Sequence, residues 1–308
     1  MSIASVTHTH VFGIKQEVKH SLFSVDDDTI LYPAGSNVVV LQNGVAKFIP
    51  LSEKGEAITA LSVSHDRHLL AIAERNVKPS ISVYDITSSR KRRTLLAAPD
   101  GSTARDFTSI AFSSDSKYLV AQLGAPDWTL HYYAWDKGKL IATIKSAEPN
   151  QKILQVSVNP SDGTLLFTVG ETKCRMFRYS EGELRSIDLN LPDVVRIGSE
   201  DGKIVIVSDR VVTQIIQIDS VGGVTVQNSI EAIVAVSVGF IAATKGGDIL
   251  LFERSAEHPD EHVIRKKMRI PEGSIRTLAI GSTESNILVQ LCSNQVLTAP
   301  LSFQESLV

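Results

Sequence analysis

The chain has 308 residues, of which 43% are hydrophobic and 21% charged, and its formal net charge is −3. This composition supplies enough apolar side chains for a large core and excludes an intrinsically disordered chain. The near-neutral charge argues against a protein that binds nucleic acid through many phosphate contacts. The longest apolar run, residues 233–243, is too short for a membrane-spanning helix, and the first residues lack the pattern of a secretory signal peptide.

A polar turn between two strands recurs along the chain about every 40 residues, a period typical of repeat architectures. The strand before each turn alternates apolar and polar residues, which indicates one buried face. The strand after each turn is almost entirely apolar, as expected for a strand covered on both faces. The turns are centred near Asp27, Asp66, Asp115, Asp162, Asp201, Gly239 and Glu284, the last two in weaker copies.

Each copy continues with a third strand and a more polar fourth strand. The third strands include NVVVLQ at residues 37–42 and DILLFE at residues 248–253, and the fourth include VAKFIP at residues 45–50. Four strands in each of seven units predict an all-β fold, a seven-bladed WD40-like β-propeller that forms a single domain over residues 1–308. The seventh copy lacks a fourth strand, so we expect residues 3–12 to complete the last blade and close the ring.

The two cysteines, Cys174 and Cys292, fall in different units of this predicted ring. A disulfide framework is therefore not expected, and an intracellular, reducing environment is the simpler interpretation. We expect both thiols to be free and packed within the fold.

No group of residues in the sequence forms a catalytic motif, so the chain is predicted not to be an enzyme and no cofactor is predicted. His258 and His262, in the segment HPDEH, have the spacing of a helical metal site. Pro259 instead places them in the connection between the third and fourth strands of the sixth unit, and we interpret the segment as a solvated loop. His65 and His68 flank a polar turn and are expected to be exposed.

The densest charge on the chain is the basic run Arg90, Lys91, Arg92 and Arg93. These four residues are the predicted partner-binding surface, which would dock an acidic partner. The alternative is a solvated turn between outer strands, where charge also prevents edge pairing. Tyr84–Asp85 and Trp135–Asp136 end third strands, the position of the dipeptide that names WD repeats. Only one of these is Trp-Asp, so packing is expected to provide most of the stability.

Several segments resemble the cilia- and flagella-associated protein 57 family, whose members are WD-repeat proteins of the axoneme. The similarity is carried by HVFG at residues 10–13, YPAG at residues 32–35, KFIP at residues 47–50, ALSVSHDRHLLAIAE at residues 60–74 and residues 107–142. It is strong over the first half of the chain and thin beyond about residue 180. Members of that family are longer, and they carry a second propeller and a coiled coil. We expect neither within these residues, so the chain is expected to correspond to the N-terminal propeller alone.

The resemblance implies a non-enzymatic interaction scaffold of the ciliary or flagellar axoneme that helps to position or regulate inner dynein arms. The implied partners are inner dynein arm subunits or tethers and, through the basic run, the doublet microtubule; neither nucleic acid nor membrane is expected, and the isolated propeller is expected to be monomeric. A generic intracellular WD-repeat adaptor, in trafficking or ribosome assembly, stays open because a fold does not determine a function. A propeller hydrolase is a remote alternative, because the innermost strands supply mainly apolar residues, Ser and Thr.

Overall fold

The computed structural model describes residues 13–15, 17–97, 102–171, 174–187, 202–208, 211–218, 229–258, 261–270, 273–281 and 283–301. All regular secondary structure within these residues consists of antiparallel strands arranged in seven sheets. No helix in the described ranges has the length and apolar character needed to cross a lipid bilayer.

The first four sheets each contain four strands, which pair in chain order. Sheet 1 contains β1 (Phe23–Ser24), β2 (Thr29–Ala34), β3 (Asn37–Gln42) and β4 (Val45–Pro50). Sheet 2 contains β5 (Ala57–Val63), β6 (Leu69–Arg75), β7 (Ser80–Asp85) and β8 (Lys91–Leu96). Sheet 3 contains β9 (Phe107–Phe112), β10 (Tyr118–Leu123), β11 (Thr129–Ala134) and β12 (Lys139–Lys145). Sheet 4 contains β13 (Ile153–Val158), β14 (Leu165–Gly170), β15 (Cys174–Ser180) and β16 (Glu183–Ile187).

The remaining three sheets differ in the number of strands described. Sheet 5 contains β17 (Lys203–Ser208) and β18 (Val211–Gln217). Sheet 6 contains β19 (Ile230–Val236), β20 (Gly239–Thr244), β21 (Asp248–Arg254) and β22 (His262–Arg269). Sheet 7 contains β23 (Ile275–Ile280), β24 (Asn286–Leu291) and β25 (Val296–Pro300).

The predicted propeller class is confirmed, but the described residues show six blades rather than seven complete ones. Six sheets have three or four strands, whereas sheet 5 is described only as the hairpin of β17 and β18. The first and fourth strands predicted for this unit fall on residues that the structure does not describe. The predicted closing strand, residues 3–12, also lies outside the described residues.

The burial of the strands follows the predicted order in sheets 1, 2, 3 and 6, where the second and third strands are the most buried. Leu70, Ala71, Ile72 and Ala73 of β6 are each at most 1% exposed. In sheet 7 the third strand, β25, has no buried residue. The fourth strands are mostly exposed, as in β8, where only Leu95 is buried. The core therefore lies between the middle strands of neighbouring sheets, and the polar outer strands face the solvent.

The polar turns are held by side-chain hydrogen bonds that repeat from sheet to sheet. Ser64 Oγ donates to Asp66 Oδ1 (2.5 Å) and accepts the Leu69 N–H (2.9 Å). Ser113 Oγ makes the equivalent bond to Asp115 Oδ1 (2.6 Å) and accepts the Tyr118 N–H (2.9 Å). These turns are therefore part of the scaffold, because their polar atoms are directed at their own backbone.

A β-bulge recurs near the start of the first strand in sheets 2, 3, 4, 6 and 7. At each bulge one residue of the first strand is skipped in the pairing with the second strand, which increases the local twist. The five skipped residues are half-buried and share no chemistry: Thr59, Thr108, Leu154, Glu231 and Arg276.

Contacts between the first and last sheets close the ring. Strand β1 contacts β23, and Leu22 of the first unit packs against Ala279 and Leu288 of sheet 7. Thr283 Oγ1 donates a hydrogen bond of 3.0 Å to Asp27 Oδ1 across the same junction. The packing of the two chain ends therefore does not depend solely on the predicted closing strand.

The cysteines differ in exposure, so the prediction that both are packed is wrong for one of them. Cys174, at the start of β15, is half-buried, and burial raises the pKa of its thiol to about 11. Cys292 is exposed because it follows the last residue of β24, in the turn that connects β24 with β25. No disulfide joins these two described residues.

Candidate partner-binding surface

The basic run lies at the outer edge of sheet 2. Arg90 lies in the turn before β8, and the other three basic residues, Lys91, Arg92 and Arg93, are the first three of that strand. Strand β8 pairs with β7 on one side and has no strand partner on its other side among the described residues. All four side chains are exposed. Because three of them belong to β8, the run lies only partly in the solvated turn of the alternative interpretation.

Arg92 is the extra residue of a β-bulge between β7 and β8, and it binds Asp85. Its Nη2 atom lies 2.7 Å from Asp85 Oδ2. Asp85 Oδ1 also accepts the Ser88 N–H (2.8 Å) and the Ser88 hydroxyl (2.7 Å). The hydrogen bond from Arg92, together with those from Ser88, holds the pKa of Asp85 well below its usual range.

The neighbouring basic side chains also have contacts within the fold. Lys91 Nζ lies 5.4 Å from the centre of the Tyr84 ring, within the range of a cation–π contact. Arg93 donates to the Asp136 carbonyl oxygen in sheet 3, which links the two sheets at their outer edge. Arg92 and Arg93 are therefore used largely by the fold, and they are less available to a partner than the sequence pattern indicates.

We expect Asp85→Asn to lower the free energy of unfolding by about 1 kcal/mol at pH 7, because the charged acceptor of three hydrogen bonds is lost. The folded-state pKa of Asp85 lies below its unfolded value, so its stabilisation is present above the ordinary aspartate pKa of about 4 and is lost at lower pH. The difference from the unsubstituted chain should therefore shrink as the pH falls below that value. Urea unfolding at pH 7 and at the lowest pH at which the chain folds measures both differences.

Asp136→Asn is the matched control, because Asp136 is exposed at the equivalent place in sheet 3 and, among the described residues, only its backbone carbonyl is bonded. We expect this variant to be within about 0.5 kcal/mol of the unsubstituted chain at every pH. An Asp85→Asn difference that grew as the pH fell would contradict the assigned direction of the pKa shift.

A groove of about 880 Å³ lies between the outer strands of sheets 1 and 2. We call it the 1–2 groove. Two of its apolar side chains are largely exposed, Val77 at 75% and Leu96 at 60%. Its lining includes the apolar Phe48, Val77 and Leu96, the cations Lys54, Lys78 and Lys91, and the acid Glu53. Sequence reasoning missed this groove, because its two walls come from strands about 45 residues apart that only the ring brings together.

The histidines considered for metal binding do not form a site within the described part of the chain. His258 lies in the predicted connection, but His262 is the first residue of β22. The His262 N–H donates to Gln214 Oε1 (2.8 Å) and its carbonyl accepts from Gln214 Nε2 (2.9 Å), so this residue ties sheet 6 to sheet 5. No cluster of three potential metal ligands occurs among the described residues. His65 and His68 are exposed, as predicted.

The innermost strands carry few ionisable side chains. Serine, threonine and apolar residues dominate β5, β9, β13, β19 and β23, in agreement with the sequence interpretation. Glu231 and Arg276 are exceptions that this interpretation omitted. Glu231 Oε1 accepts the Ser229 hydroxyl at 3.1 Å. One carboxylate with a local partner does not supply the several ligands that calcium requires.

Comparison with curated proteins finds relatives among ciliary and flagellar proteins. Cilia- and flagella-associated protein 57 from Mus musculus is 26% identical, over 99% of this chain and 30% of the relative. Cilia- and flagella-associated protein 57 C from Tetrahymena thermophila is 28% identical, over 56% of this chain and 14% of the relative. The resemblance predicted from the sequence segments is confirmed, and it extends over nearly the whole chain. The chain spans less than a third of the length of these relatives.

Comparison with solved structures identifies the fold. The WD40 β-propeller domain of Doa1 has a TM-score of 0.64 and 14% sequence identity, and the match covers 94% of both chains. At this identity the likeness concerns the fold alone. No protein-family model matches the chain.

Proposed function

We propose that this propeller is a non-enzymatic interaction scaffold of the ciliary or flagellar axoneme, where it helps to position or regulate inner dynein arms. The observation that carries the proposal is the similarity to mouse cilia- and flagella-associated protein 57 over 99% of the chain. The name of that relative associates it with cilia and flagella. The role at the inner dynein arms goes beyond that name, and we propose it from the resemblance of the sequence segments to the family.

The structure supports a scaffold in two ways. Its turns and outer strands are held by repeated hydrogen bonds and by packing between sheets, so exposed loops are presented on a stiff frame. Within the described residues, the first strands carry mainly apolar side chains, serine and threonine, and no group of three potential metal ligands occurs. Both features favour binding over catalysis.

The proposed partners are axonemal proteins, namely inner dynein arm subunits or tethers and the doublet microtubule. A net charge of −3 favours protein partners over nucleic acid. We propose that the isolated propeller is a monomer. We also propose that the protein is intracellular and located at the axoneme.

The proposal is tested by expressing the tagged chain in a flagellate cell and locating it after detergent extraction. We expect the tag to remain with the axonemes and to be enriched near inner dynein arms by proximity labelling. A tag found in the detergent-soluble fraction, on vesicles or at ribosome precursors would overturn the axonemal proposal and favour a generic WD-repeat adaptor.

We further propose that the complete ring has seven blades over residues 1–308 and that residues 3–12 form the fourth strand of sheet 7. This is supported by the three strands described in that sheet and by the position of the first sheet beside it. The hairpin of β17 and β18 supports a fifth blade between sheets 4 and 6.

Deletion of residues 1–12 tests the proposed closure. We expect the free energy of unfolding to fall by about 2 kcal/mol, the order of a few net backbone hydrogen bonds. Thermal unfolding followed by circular dichroism measures the change. A deletion variant that melts at the same temperature as the full chain would contradict the closing strand, while the contacts between β1 and β23 would still join the ends.

A further inference from the structure

The 1–2 groove combines exposed apolar surface with unpaired positive charge. Phe48 is half-buried, and Val77 and Leu96 are largely exposed, although most apolar side chains of the fold lie in its core. Contiguous exposed apolar surface with a polar rim is typical of a protein-interaction site. The groove therefore has a floor suited to apolar side chains of a ligand.

Three lysines surround this floor, against one carboxylate, that of Glu53. Lys54 and Lys78 make no ion pair with any described residue, and Lys91 contacts the face of the Tyr84 ring. The positive charge is thus available to a ligand, unlike that of Arg92, which is paired with Asp85. Charge complementarity favours an acidic ligand.

The β-bulge at Arg92 determines which basic residue reaches the groove. Because Arg92 is skipped in the pairing of β7 with β8, Lys91 lies opposite Tyr84 on the face that packs towards sheet 1. Arg93, by contrast, reaches the Asp136 carbonyl on the other side of the sheet. The basic run is therefore divided, and Lys91 is the residue that it contributes to the groove.

Hydrogen bonds hold both walls of the groove in place. Glu74 is fully buried, and it accepts the Ser52 N–H (3.1 Å) and the Ser52 hydroxyl, which anchors the segment after β4. On the opposite wall, the Asn76 N–H donates to the Arg105 carbonyl oxygen (3.0 Å), which holds the segment after β6. A binding site held in this way loses little conformational entropy when a ligand binds.

The spacing of the cations sets the length of the ligand. Lys91 and Leu96 are the first and last residues of β8, and a strand of this length extends over roughly 16 Å. Lys78 precedes β7, whose first residue, Ser80, pairs with Leu96, so it lies at the far end from Lys91. A ligand that contacts both ends must be an extended segment of several residues.

We propose that the 1–2 groove binds an extended acidic peptide of a partner protein, in which carboxylates alternate with apolar side chains. The apolar residues would contact Phe48, Val77 and Leu96, and the carboxylates would pair with Lys54, Lys78 and Lys91. The lining favours such a peptide over a polynucleotide, because stacked bases need exposed aromatic rings, whereas Phe48 is half-buried and the Tyr84 ring is buried beneath Lys91. This inference deepens the proposed scaffold function and rests on it.

The test uses a fluorescein-labelled peptide in which glutamate and valine alternate over about eight residues, long enough to span β8 when extended. Binding to the full chain is measured by fluorescence anisotropy. We expect saturable binding that the triple variant Lys54→Glu, Lys78→Glu, Lys91→Glu weakens at least about tenfold. We expect Leu96→Ser to weaken it several-fold, since one exposed apolar contact is lost.

Lys139→Glu is the matched control, because Lys139 is the exposed first residue of the outer strand of sheet 3, as Lys91 is in sheet 2. It should leave the affinity unchanged, and all variants should keep the circular dichroism melting curve of the full chain. Three results would overturn the proposal: no binding to the unsubstituted chain, equal binding by the triple variant, or tighter binding of a single-stranded oligonucleotide or of polyglutamate.

The tagged unsubstituted chain, expressed in a flagellate cell, separates this proposal from the proposed function. Failure of the peptide test while the tagged unsubstituted chain remains with axonemes would remove the groove proposal alone. Peptide binding by a chain that does not associate with axonemes would instead remove the axonemal scaffold.

Discussion

Replacement of Tyr132 by alanine is expected to lower the free energy of unfolding by about 4 kcal/mol, in the range measured for large aromatic residues in cores. Tyr132 is fully buried in β11, and its ring stacks on Tyr118 at 5.0 Å between centroids. On its other side it contacts Tyr179 of sheet 4 at 4.7 Å. Alanine would leave a cavity between two sheets that their rigid strands cannot fill.

The hydroxyl of Tyr132 makes a smaller and separable contribution. It donates to the Gly163 carbonyl of sheet 4 at 3.0 Å, and burial raises the pKa of this phenol. Tyr132→Phe keeps the ring and removes this bond, so we expect a loss of about 1 kcal/mol. Urea unfolding of the two variants separates packing from hydrogen bonding. An alanine variant no less stable than the phenylalanine variant would show that sheets 3 and 4 do not pack through this ring.

Gly239→Ala is expected to cost about 3 kcal/mol, the upper range for forcing extra atoms into a packed site. Gly239 begins β20 with φ of +158°, and a Cβ atom there would overlap the carbonyl oxygen of Phe252 and lie 3.1 Å from its carbonyl carbon. Phe252 belongs to the adjacent β21, and its ring stacks on Phe240 at 4.7 Å. The clash is with backbone, so the pairing of two buried strands must shift to relieve it.

Gly182→Ala provides the matched control for this substitution. Gly182 has φ of +86° in the turn between β15 and β16, and a Cβ atom there would have no described residue within 4 Å other than its two chain neighbours. Its expected cost is about 1 kcal/mol, that of the left-handed backbone alone. Equal losses for the two variants, measured by urea unfolding, would contradict a close backbone contact at Gly239.

The repeat and the order of its strands could be predicted because both depend on local pattern. Ile110 and Phe112 are two residues apart and are buried on one side of β9, whereas Ser109 and Ala111 are half-buried. Ile72 and its neighbours in β6 form an apolar run, and they are buried on both faces. Asp66 and Asp115 mark turns because a short acidic side chain satisfies the backbone there.

Features that depend on irregular local geometry or on the packing of two distant segments could not be predicted in this way. The pairing of Arg92 with Asp85 and the contact of Lys91 with Tyr84 depend on a bulge that no residue type specifies. The 1–2 groove needs the relative placement of β4 and β8, which only the packing of two sheets determines. The exposure of Cys292 depends on where a strand ends, the least regular property of a repeat.

The recurrent bulge of the innermost strands provides a measure of the symmetry of the ring. The skipped residues occupy equivalent places in five sheets, and they include Thr59, Thr108 and Leu154 in three consecutive ones. A ring of seven sheets turns through a smaller angle from one sheet to the next than a ring of six. Spin labels at these three positions would therefore give a ratio of next-neighbour to nearest-neighbour distances that differs between the two symmetries.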